Sequence, residues 1–423
     1  MLNSVYSALY FIALLFLLPS EYLKRPRELR RRWLRERFGL CDPFPVSGSS
    51  SRIWIHAVSV GEVISAVSFI KRMKGRSPDL DIVVSTVTDT GQKVARERIG
   101  AMAKILYVPF DLPFAVNNAL RRIRPAVFII METELWPNII SIPGRQNIPV
   151  VLMNGRISEK SFQGYKRLRF FLKGFLENVS LFCMQDELYA GRIRAMGADP
   201  EKIRAIGSFK FDTKPSAPVP AWTGALEGPV IIAGSTHRTE EDLALDAYAG
   251  LKPEFPQLNL ILAPRHPERF KEVEELVRKK GFPYMKRSEI TESAGARKEK
   301  ASGYVVILDA MGELSSVYGA ADIAVMGGSF IEHGGQNPLE PAYWGKAVVC
   351  GPHMENFPFI EDFYKSGGAV RADASTLTAQ LGELLRSPDK TASAGSIAKA
   401  LYQKSAGATD RALEIIEACL KRG

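Results

Sequence analysis

A glycine-rich segment in the second half of the chain has the composition of a phosphate-binding loop. Residues 326–353 follow a short apolar run and place four glycines before the sequence Asn-Pro-Leu-Glu. Glycines let backbone N–H groups approach an anion, and a helix N-terminus adds positive potential. Glu340 falls in the first turn of the helix that Pro338 is expected to open, where its carboxylate can accept hydrogen bonds from a ribose diol. The segment predicts a bound nucleotide, although a plain turn between a strand and a helix fits the same pattern.

Acidic residues follow two apolar runs in the first half of the chain. Glu62 follows the run 53–58, and Glu132 and Glu134 follow the run 126–131. A carboxylate at the end of a strand can take a proton from an attacking hydroxyl. An acidic residue in the first turn of a helix is also favoured by the helix dipole, and the spacing of Glu62 alone favours that interpretation. Glu132 and Glu134 leave an apolar strand together, and carboxylates at that depth require a partner or a chemical task.

Basic residues follow other runs. Arg156 and Lys160 lie in the segment 153–161, which suits a polar or anionic acceptor. Lys210 lies in the sequence GSFKFD, near the end of the first strand-rich region. In the second half, Arg265 follows the run 260–263 and is placed to hold a phosphate or a carboxylate. These loops therefore predict several anion contacts.

Further polar residues lie in loops of the same kind. Gly312 and Glu313 precede the glycine-rich segment and can approach a nucleotide base. Ligands bind outside the carboxyl ends of strands in open α/β sheets. The histidines of this chain are predicted to lie there, although a single histidine at such a position is more often structural. The Asp-x-Asp sequence at 79–81 opens a strand, so we predict no metal site. All five histidines follow apolar runs, namely His56, His237, His266, His333 and His353.

The order of apolar runs predicts the scaffold that positions these residues. Short runs rich in β-branched residues alternate with helical stretches from 52 to 207 and again from 230, as in buried parallel strands. Residues 213–228 contain three prolines without periodicity and are predicted to be a linker. We predict an α/β fold with two doubly wound, Rossmann-like domains facing a cleft, at 41–212 and 229–423. The last helix, at about 410–421, is a candidate for packing back on the N-terminal domain.

The first 40 residues predict a membrane anchor with a basic flank. Residues 1–20 are almost uncharged and are long enough for a short span, and residues 24–37 contain eight basic and two acidic residues. Positive charge after the apolar segment is not the order of a cleaved signal peptide and predicts a cytoplasmic basic segment. That segment, with Trp33 and Phe38 between its basic residues, can also lie on anionic headgroups. A buried helix of the globular body and a monotopic insertion, favoured by Pro19, are the alternatives.

Composition excludes some classes of protein. The 423 residues suffice for two or three domains, and the net charge of +10 is concentrated in residues 24–37. No basic face for nucleic acid is predicted. The cysteines are widely scattered without paired spacing, so neither a zinc site nor a disulfide framework is indicated. They are Cys41, Cys183, Cys350 and Cys419.

Taken together, the motifs resemble those of a known family. In chain order they are SVGE, ETELWPN, NGRIS, FKFD, GSTH, APRHPERF, MGEL and GGQNPLEP followed by GPHMENF. This ordered set resembles the bacterial 3-deoxy-D-manno-octulosonic acid (Kdo) transferases of lipopolysaccharide synthesis. The resemblance spans nearly the whole chain, including the N-terminal segment with its basic flank. One departure is Gln336, where the family commonly carries His.

The resemblance implies a GT-B glycosyltransferase that uses no cofactor. It implies transfer of Kdo from CMP-Kdo to a lipid A precursor (lipid IVA) at the cytoplasmic face of the inner membrane. It also implies that the enzyme contacts the inner-membrane lipids. Attack opposite the departing CMP predicts inversion. The resemblance carries over Glu62 as the general base, and Glu132 and Lys210 as residues that stabilise the transition state. Arg156 and Lys160 are candidate acceptor contacts. The resemblance assigns CMP binding to Pro264, Arg265, Met311, Gly312, Glu313, Asn337, Pro338, Leu339 and Glu340.

Two other functions fit the pattern less well. One is a different membrane-associated GT-B enzyme that uses a UDP-sugar and a lipid acceptor. The other is a non-catalytic, membrane-tethered protein that binds a nucleotide. The presence of Glu62, Lys210, Arg265 and Glu340 argues against a decayed site.

Overall fold

Two compact units make up the molecule. The computed structural model describes residues 2–44, 51–212, 215, 217–290 and 302–421. Unit 1 comprises Met1–Asp212 and Ala406–Gly423, and unit 2 comprises Thr213–Ser405. Residues 213, 214 and 216 of the predicted linker lie outside the described residues, and a 3-10 helix occupies Ala221–Ala225.

Unit 1 is built on a seven-stranded parallel sheet with the order β3-β2-β1-β4-β5-β6-β7. Its strands are β1 (Arg52–His56), β2 (Asp81–Thr86), β3 (Lys104–Tyr107), β4 (Val127–Met131), β5 (Val150–Gly155), β6 (Leu181–Met184) and β7 (Ile203–Ala205). Its helices are α1 (Leu2–Leu23), α2 (Arg27–Arg37), α3 (Val60–Arg76), α4 (Asp89–Ile99), α5 (Pro113–Ile123), α6 (Pro137–Arg145), α7 (Glu159–Arg167), α8 (Arg169–Leu176) and α9 (Glu187–Ala195), together with the last helix of the chain, α17 (Ala408–Leu420).

Unit 2 contains a second seven-stranded parallel sheet, with the order β10-β11-β9-β8-β12-β13-β14. Its strands are β8 (Val230–Thr236), β9 (Asn259–Pro264), β10 (Tyr284–Lys286), β11 (Val305–Ile307), β12 (Ile323–Met326), β13 (Ala347–Cys350) and β14 (Ala369–Arg371). Its helices are α10 (Glu240–Leu251), α11 (Phe270–Lys279), α12 (Leu314–Val317), α13 (Leu339–Tyr343), α14 (Ile360–Ser366), α15 (Leu377–Arg386) and α16 (Pro388–Ser405).

Both faces of the first sheet are covered, as parallel strands require. Along β1, Trp54 packs into the apolar cluster on one face, whereas Ile53 and Ile55 pack into the cluster on the other. All three side chains are fully buried. The second cluster also contains Leu413 and Ile416 of α17, so the end of the chain completes the core of unit 1.

The two parallel, helix-covered sheets confirm the predicted doubly wound α/β fold. The apolar runs at 53–58, 82–87, 105–108 and 126–131 correspond to β1 to β4. Three short strands were not predicted: β7, β10 and β14 each have three residues and carry an arginine or a lysine. Each lies at an edge of its sheet, where polar side chains meet solvent and the apolar run that marks a central strand is not needed.

Helix α1 lies against unit 1 along one face. Asn3 Nδ2 lies 3.1 Å from Ser141 Oγ, and Ser7 Oγ accepts a 2.9 Å hydrogen bond from Asn138 Nδ2. The opposite face is apolar and open, with Phe16 79% exposed. By length and composition this helix is able to cross a membrane.

Helix α2 differs from its prediction in one respect. Trp33 is 2% exposed and packs edge-on against Phe110, so its predicted contact with lipid headgroups is wrong. Trp33 faces inward because it packs in an apolar cluster with Phe110, while Arg27, Arg31 and Arg35 lie on the exposed face of the helix. The basic face is therefore retained without the tryptophan.

Candidate active site

The candidate catalytic residues of unit 1 lie where the strand order reverses. Strands β1 and β4 are neighbours, but β1 leads to β2 on one side and β4 leads to β5 on the other. The loops that follow such strands diverge, and ligands bind in the crevice between them. Glu62 follows β1 and Glu132 follows β4, so the fold brings both to this crevice.

Glu62 is buried at the start of α3. Its carboxylate accepts hydrogen bonds from Val58 N (2.7 Å) and from Ser59 Oγ (3.1 Å), in an arrangement close to a capping box. Burial raises the pKa of this carboxyl to about 7, and the negative charges of Glu134 and Glu132 add to the effect. The residue therefore caps its helix and is also suited, near neutral pH, to accept a proton.

Glu132 is held by an ion pair on a strained backbone. Its φ is 57°, in the left-handed region that a glutamate rarely adopts. Arg156 Nε donates to Glu132 Oε2 at 2.7 Å, which provides the partner that a buried carboxylate requires. Strained residues of this kind concentrate at functional sites. The neighbouring Glu134 accepts from Trp136 Nε1 at 2.6 Å, and burial raises the pKa of its carboxyl.

Lys210 lies on a 3-10 helix, Phe209–Asp212, beside the end of β5. Asn154 Oδ1 accepts from Phe209 N at 3.1 Å and fixes that helix to the sheet edge. Burial lowers the pKa of Lys210, the nearby positive charge of Arg156 lowers it further, and Glu132 opposes both effects. A partly desolvated cation therefore stands near Arg156 and Glu132.

In unit 2 the strand order reverses between β8 and β12, and the glycine-rich loop follows β12. The buried Glu240 occupies part of this loop. Its carboxylate accepts from Gly328 N (2.7 Å), Phe330 N (3.0 Å) and His237 N (2.9 Å). The glycines of this loop were expected to donate to phosphate through their backbone N–H groups. This expectation is wrong for Gly328, because its N–H already donates to the carboxylate of Glu240.

Three histidines converge beside Glu240. The ring centroids of His237 and His333 are 4.2 Å apart, and those of His237 and His266 are 5.4 Å apart. Gln336 Nε2 lies 3.2 Å from His237 Nε2. Burial lowers the pKa of His237 to about 4, and the charges of the other two histidines, Arg265 and Arg269 lower it further. Surroundings that resist another positive charge are favourable for an anion.

Glu340 is a partly buried carboxylate near Arg265. Burial raises the pKa of its carboxyl to about 7, and the charge of Arg265 opposes that rise. Within the part of the chain that the structure describes, no protein group donates a hydrogen bond to this carboxylate. Glu340 lies in the first turn of α13, which has only five residues, so the dipole of this helix adds little to anion binding. Asn337 Oδ1 accepts from Leu339 N at 3.2 Å and shapes this turn.

The remaining predicted nucleotide contacts lie in loops along the same sheet edge. Pro264 ends β9, and Met311 is 62% exposed after β11. Gly312 has a φ of +87°. Glu313 is paired with Arg287 through contacts of 2.8 and 3.1 Å, so its carboxylate is already engaged. The backbone of this loop and the exposed Met311 side chain remain open to a base.

Other residues lie apart from these groups. Lys160 lies on the exposed side of α7. His56 is fully buried, with Nδ1 3.1 Å from Ser85 Oγ and 3.2 Å from Ser85 O, and burial lowers its pKa to about 4. His353 lies 3.5 Å from Glu355. Glu240 was not predicted as a site residue, since it acts through Gly328 and Phe330, which are far away in sequence. Asn154 lies in the loop predicted to suit an acceptor, but its side-chain oxygen accepts from Phe209 N.

Comparison with known proteins shows the family of the chain. A family model described as 3-deoxy-D-manno-octulosonic-acid transferase (kdotransferase) matches residues 32–213. The 3-deoxy-D-manno-octulosonic acid transferase of Haemophilus influenzae is 33% identical over 414 residues, covering 95% of this chain and 94% of that protein. The Bordetella pertussis transferase is 31% identical over 428 residues, covering 96% and 98%.

A solved glycosyltransferase shares the fold. CalG4, the calicheamicin glycosyltransferase, superimposes with a TM-score of 0.51 at 13% identity, over 89% of this chain and 99% of that one. At this identity the likeness concerns the fold alone, which is GT-B. By sequence identity over nearly its full length, the chain belongs to the Kdo transferase family and is a Kdo glycosyltransferase.

Proposed function

We propose that the chain transfers Kdo from CMP-Kdo to a lipid A precursor, lipid IVA, with inversion at the anomeric carbon. The observation that carries this proposal is the buried position of Glu62 at the strand reversal of unit 1, where burial raises the pKa of its carboxyl to about 7. The family supplies the transferred sugar. The site residues supply the chemistry.

Unit 1 provides the groups that the acceptor reaction needs. The acceptor hydroxyl attacks the anomeric carbon of Kdo, the bond from that carbon to the phosphate oxygen of CMP breaks, and Glu62 takes the hydroxyl proton. Lys210 and the ion-paired Glu132 stabilise charge in the oxocarbenium-like transition state. Arg156 follows β5 and holds Glu132 in place. With the exposed Lys160 of α7, it offers cations to an anionic acceptor.

Unit 2 provides the nucleotide contacts. Glu340, desolvated and without a donor among the described residues, accepts from the ribose diol of CMP. The histidine cluster and Arg265 donate hydrogen bonds to the phosphate, and the backbone at Met311 and Gly312 contacts the cytosine. The N–H groups of Gly328 and Phe330 already donate to the carboxylate of Glu240. The phosphate is therefore bound more by side chains than by the backbone of the glycine-rich loop.

We also propose that α1 attaches the enzyme to the cytoplasmic face of the inner membrane. The apolar outward face, with Leu9 62% and Phe16 79% exposed, enters the acyl region. The basic outward face of α2 lies on anionic headgroups. Tyr10 of α1 packs edge-on against Trp136 at 6.2 Å, in the loop that carries Glu134. The anchor thus lies next to the candidate catalytic loop, which suits an acceptor embedded in lipid.

Incubation of the purified chain with lipid A precursor and either CMP-Kdo or a set of UDP-sugars tests the proposal. Release of CMP coupled to consumption of the acceptor is the expected result. Reaction with a UDP-sugar and none with CMP-Kdo would show that the chain is a different lipid glycosyltransferase.

A further inference from the structure

The 3-10 helix that carries Lys210 is attached to the end of the chain. Asp212, its last residue, accepts hydrogen bonds from Gly407 N and Thr409 N, each at 2.5 Å. Gly407 is the N-cap residue of α17 and has no side chain with which to cap the helix. Asp212 therefore caps α17 from a distant part of the sequence, and its charge also complements the positive end of a 13-residue helix.

The same short helix is held on its other side by packing. Phe209 is 2% exposed and stacks on Phe69 of α3 at 5.3 Å. Leu413 and Ile416 of α17 belong to the same apolar cluster. Arg411, in the first turn of α17, donates from Nε to Ile206 O at 2.8 Å. The segment 206–212 is thus fixed at both ends to α17.

Asp212 also lies where the chain leaves unit 1, and Ala406 is where it returns. The two hydrogen bonds of Asp212 therefore join the outgoing and returning segments within unit 1. Lys210 is two residues from this junction and faces Arg156 and Glu132. A side chain on so short a helix has little support of its own, because a single 3-10 turn is marginal without packing at its ends.

We propose that Asp212 is a positioning residue, which holds Lys210 in its partly buried place beside Arg156 and Glu132 by anchoring it to α17. The role of Lys210 itself rests on the proposed function. The placement of Lys210 does not, and it is measurable without any substrate.

The test compares Asp212→Ala, the milder Asp212→Asn and Asp410→Asn in the full chain. Asp410 is the matched control, because its carboxylate joins α17 to Arg72 and Arg76 of α3 at 3.2 and 2.9 Å, whereas the carboxylate of Asp212 joins α17 to the segment 206–212. The first measurement is the pKa of Lys210, by NMR of isotope-labelled lysine side chains, assigned with Lys210→Arg. We expect the lowered pKa of Lys210 to rise toward the ordinary lysine value in Asp212→Ala, part of the way in Asp212→Asn, and not in Asp410→Asn. An unchanged Lys210 pKa in a folded Asp212 variant would overturn the inference.

The second measurement is Kdo transfer by the same proteins. A misplaced catalytic group lowers rates by roughly 10- to 100-fold, so kcat should fall by that factor in Asp212→Ala while the KM for CMP-Kdo stays within about twofold. The alkaline limb of the kcat profile should move to higher pH, since charged Lys210 is the active form. A fall in kcat with an unmoved limb would mean that Asp212 only stabilises the fold. No transfer by the unaltered chain would remove the proposed function, and the NMR result would still decide the placement of Lys210.

Discussion

Replacing Glu62 by glutamine separates its chemical role from its structural one. Burial raises the pKa of this carboxyl from 4.5 to about 7, which corresponds to about 3 kcal/mol of free energy. The raised pKa means that the folded state disfavours the ionised form. The unfolded chain therefore loses its proton first as pH rises, and stability declines between pH 4.5 and about 7. Glutamine removes this decline and still accepts from Val58 N, while its amide faces Ser59 Oγ.

Two measurements follow from the substitution. In denaturant titrations, Glu62→Gln should match the parent at about pH 4 and exceed its apparent free energy of unfolding by up to about 3 kcal/mol at about pH 8. Turnover should fall by roughly 10² to 10⁴ with CMP binding intact, because glutamine cannot accept the hydroxyl proton. The exposed Glu97→Gln is the control and should change neither quantity. Parallel stability profiles would refute the burial of an ionisable Glu62, and near-normal turnover would refute its role as base.

Three further predictions concern the nucleotide loop and the anchor. Glu340→Gln should raise the KM for CMP-Kdo by roughly tenfold, because a charged hydrogen bond is lost. The control is the exposed Glu332→Gln, which should leave the steady-state kinetics unchanged. Equal KM values for the two variants would contradict the ribose contact. Glu240→Gln should lower the free energy of unfolding by about 1–3 kcal/mol, because one backbone N–H loses its acceptor. A change of less than about 0.5 kcal/mol in the free energy of unfolding, measured by denaturant titration, would contradict this. Phe16→Glu should reduce the fraction bound to anionic vesicles in a flotation assay, without altering turnover on detergent-dispersed acceptor; unchanged binding would show that the outer face of α1 does not enter lipid.

The central strands of both sheets could be predicted from the sequence, and the short edge strands could not. Val127–Met131 reads as a buried strand because it must be apolar on both faces. Ile203–Ala205 carries an arginine and pairs along one side only, so nothing in its composition separates it from a loop. The position of Glu62 and Glu132 after β1 and β4 followed directly from the strand pattern, since loops after parallel strands share one edge.

The supports of the site depended on contacts between distant residues. Glu240 has the sequence position of an ordinary acidic residue at a helix start. Its bonds to Gly328 and Phe330, 88 and 90 residues away, make it part of the glycine-rich loop. Asp212 bonds to Gly407 across 195 residues. The spacing of neighbouring residues in the sequence cannot predict either pairing. The burial that raises the pKa of Glu62 is likewise a property of the packed unit, which is why its spacing alone favoured a simple helix cap.

The mass of the lipid product after exhaustive reaction tests the central claim most directly. Lipid A precursor is incubated with the full chain and excess CMP-Kdo, and the extracted lipid is examined by mass spectrometry beside a reaction with Glu62→Gln. We predict that the acceptor gains whole Kdo residues with the unaltered chain and remains unmodified with the variant over the same time. An unmodified acceptor in the first reaction, or a product that carries a different sugar, would contradict the assignment of this chain as a CMP-Kdo-dependent transferase.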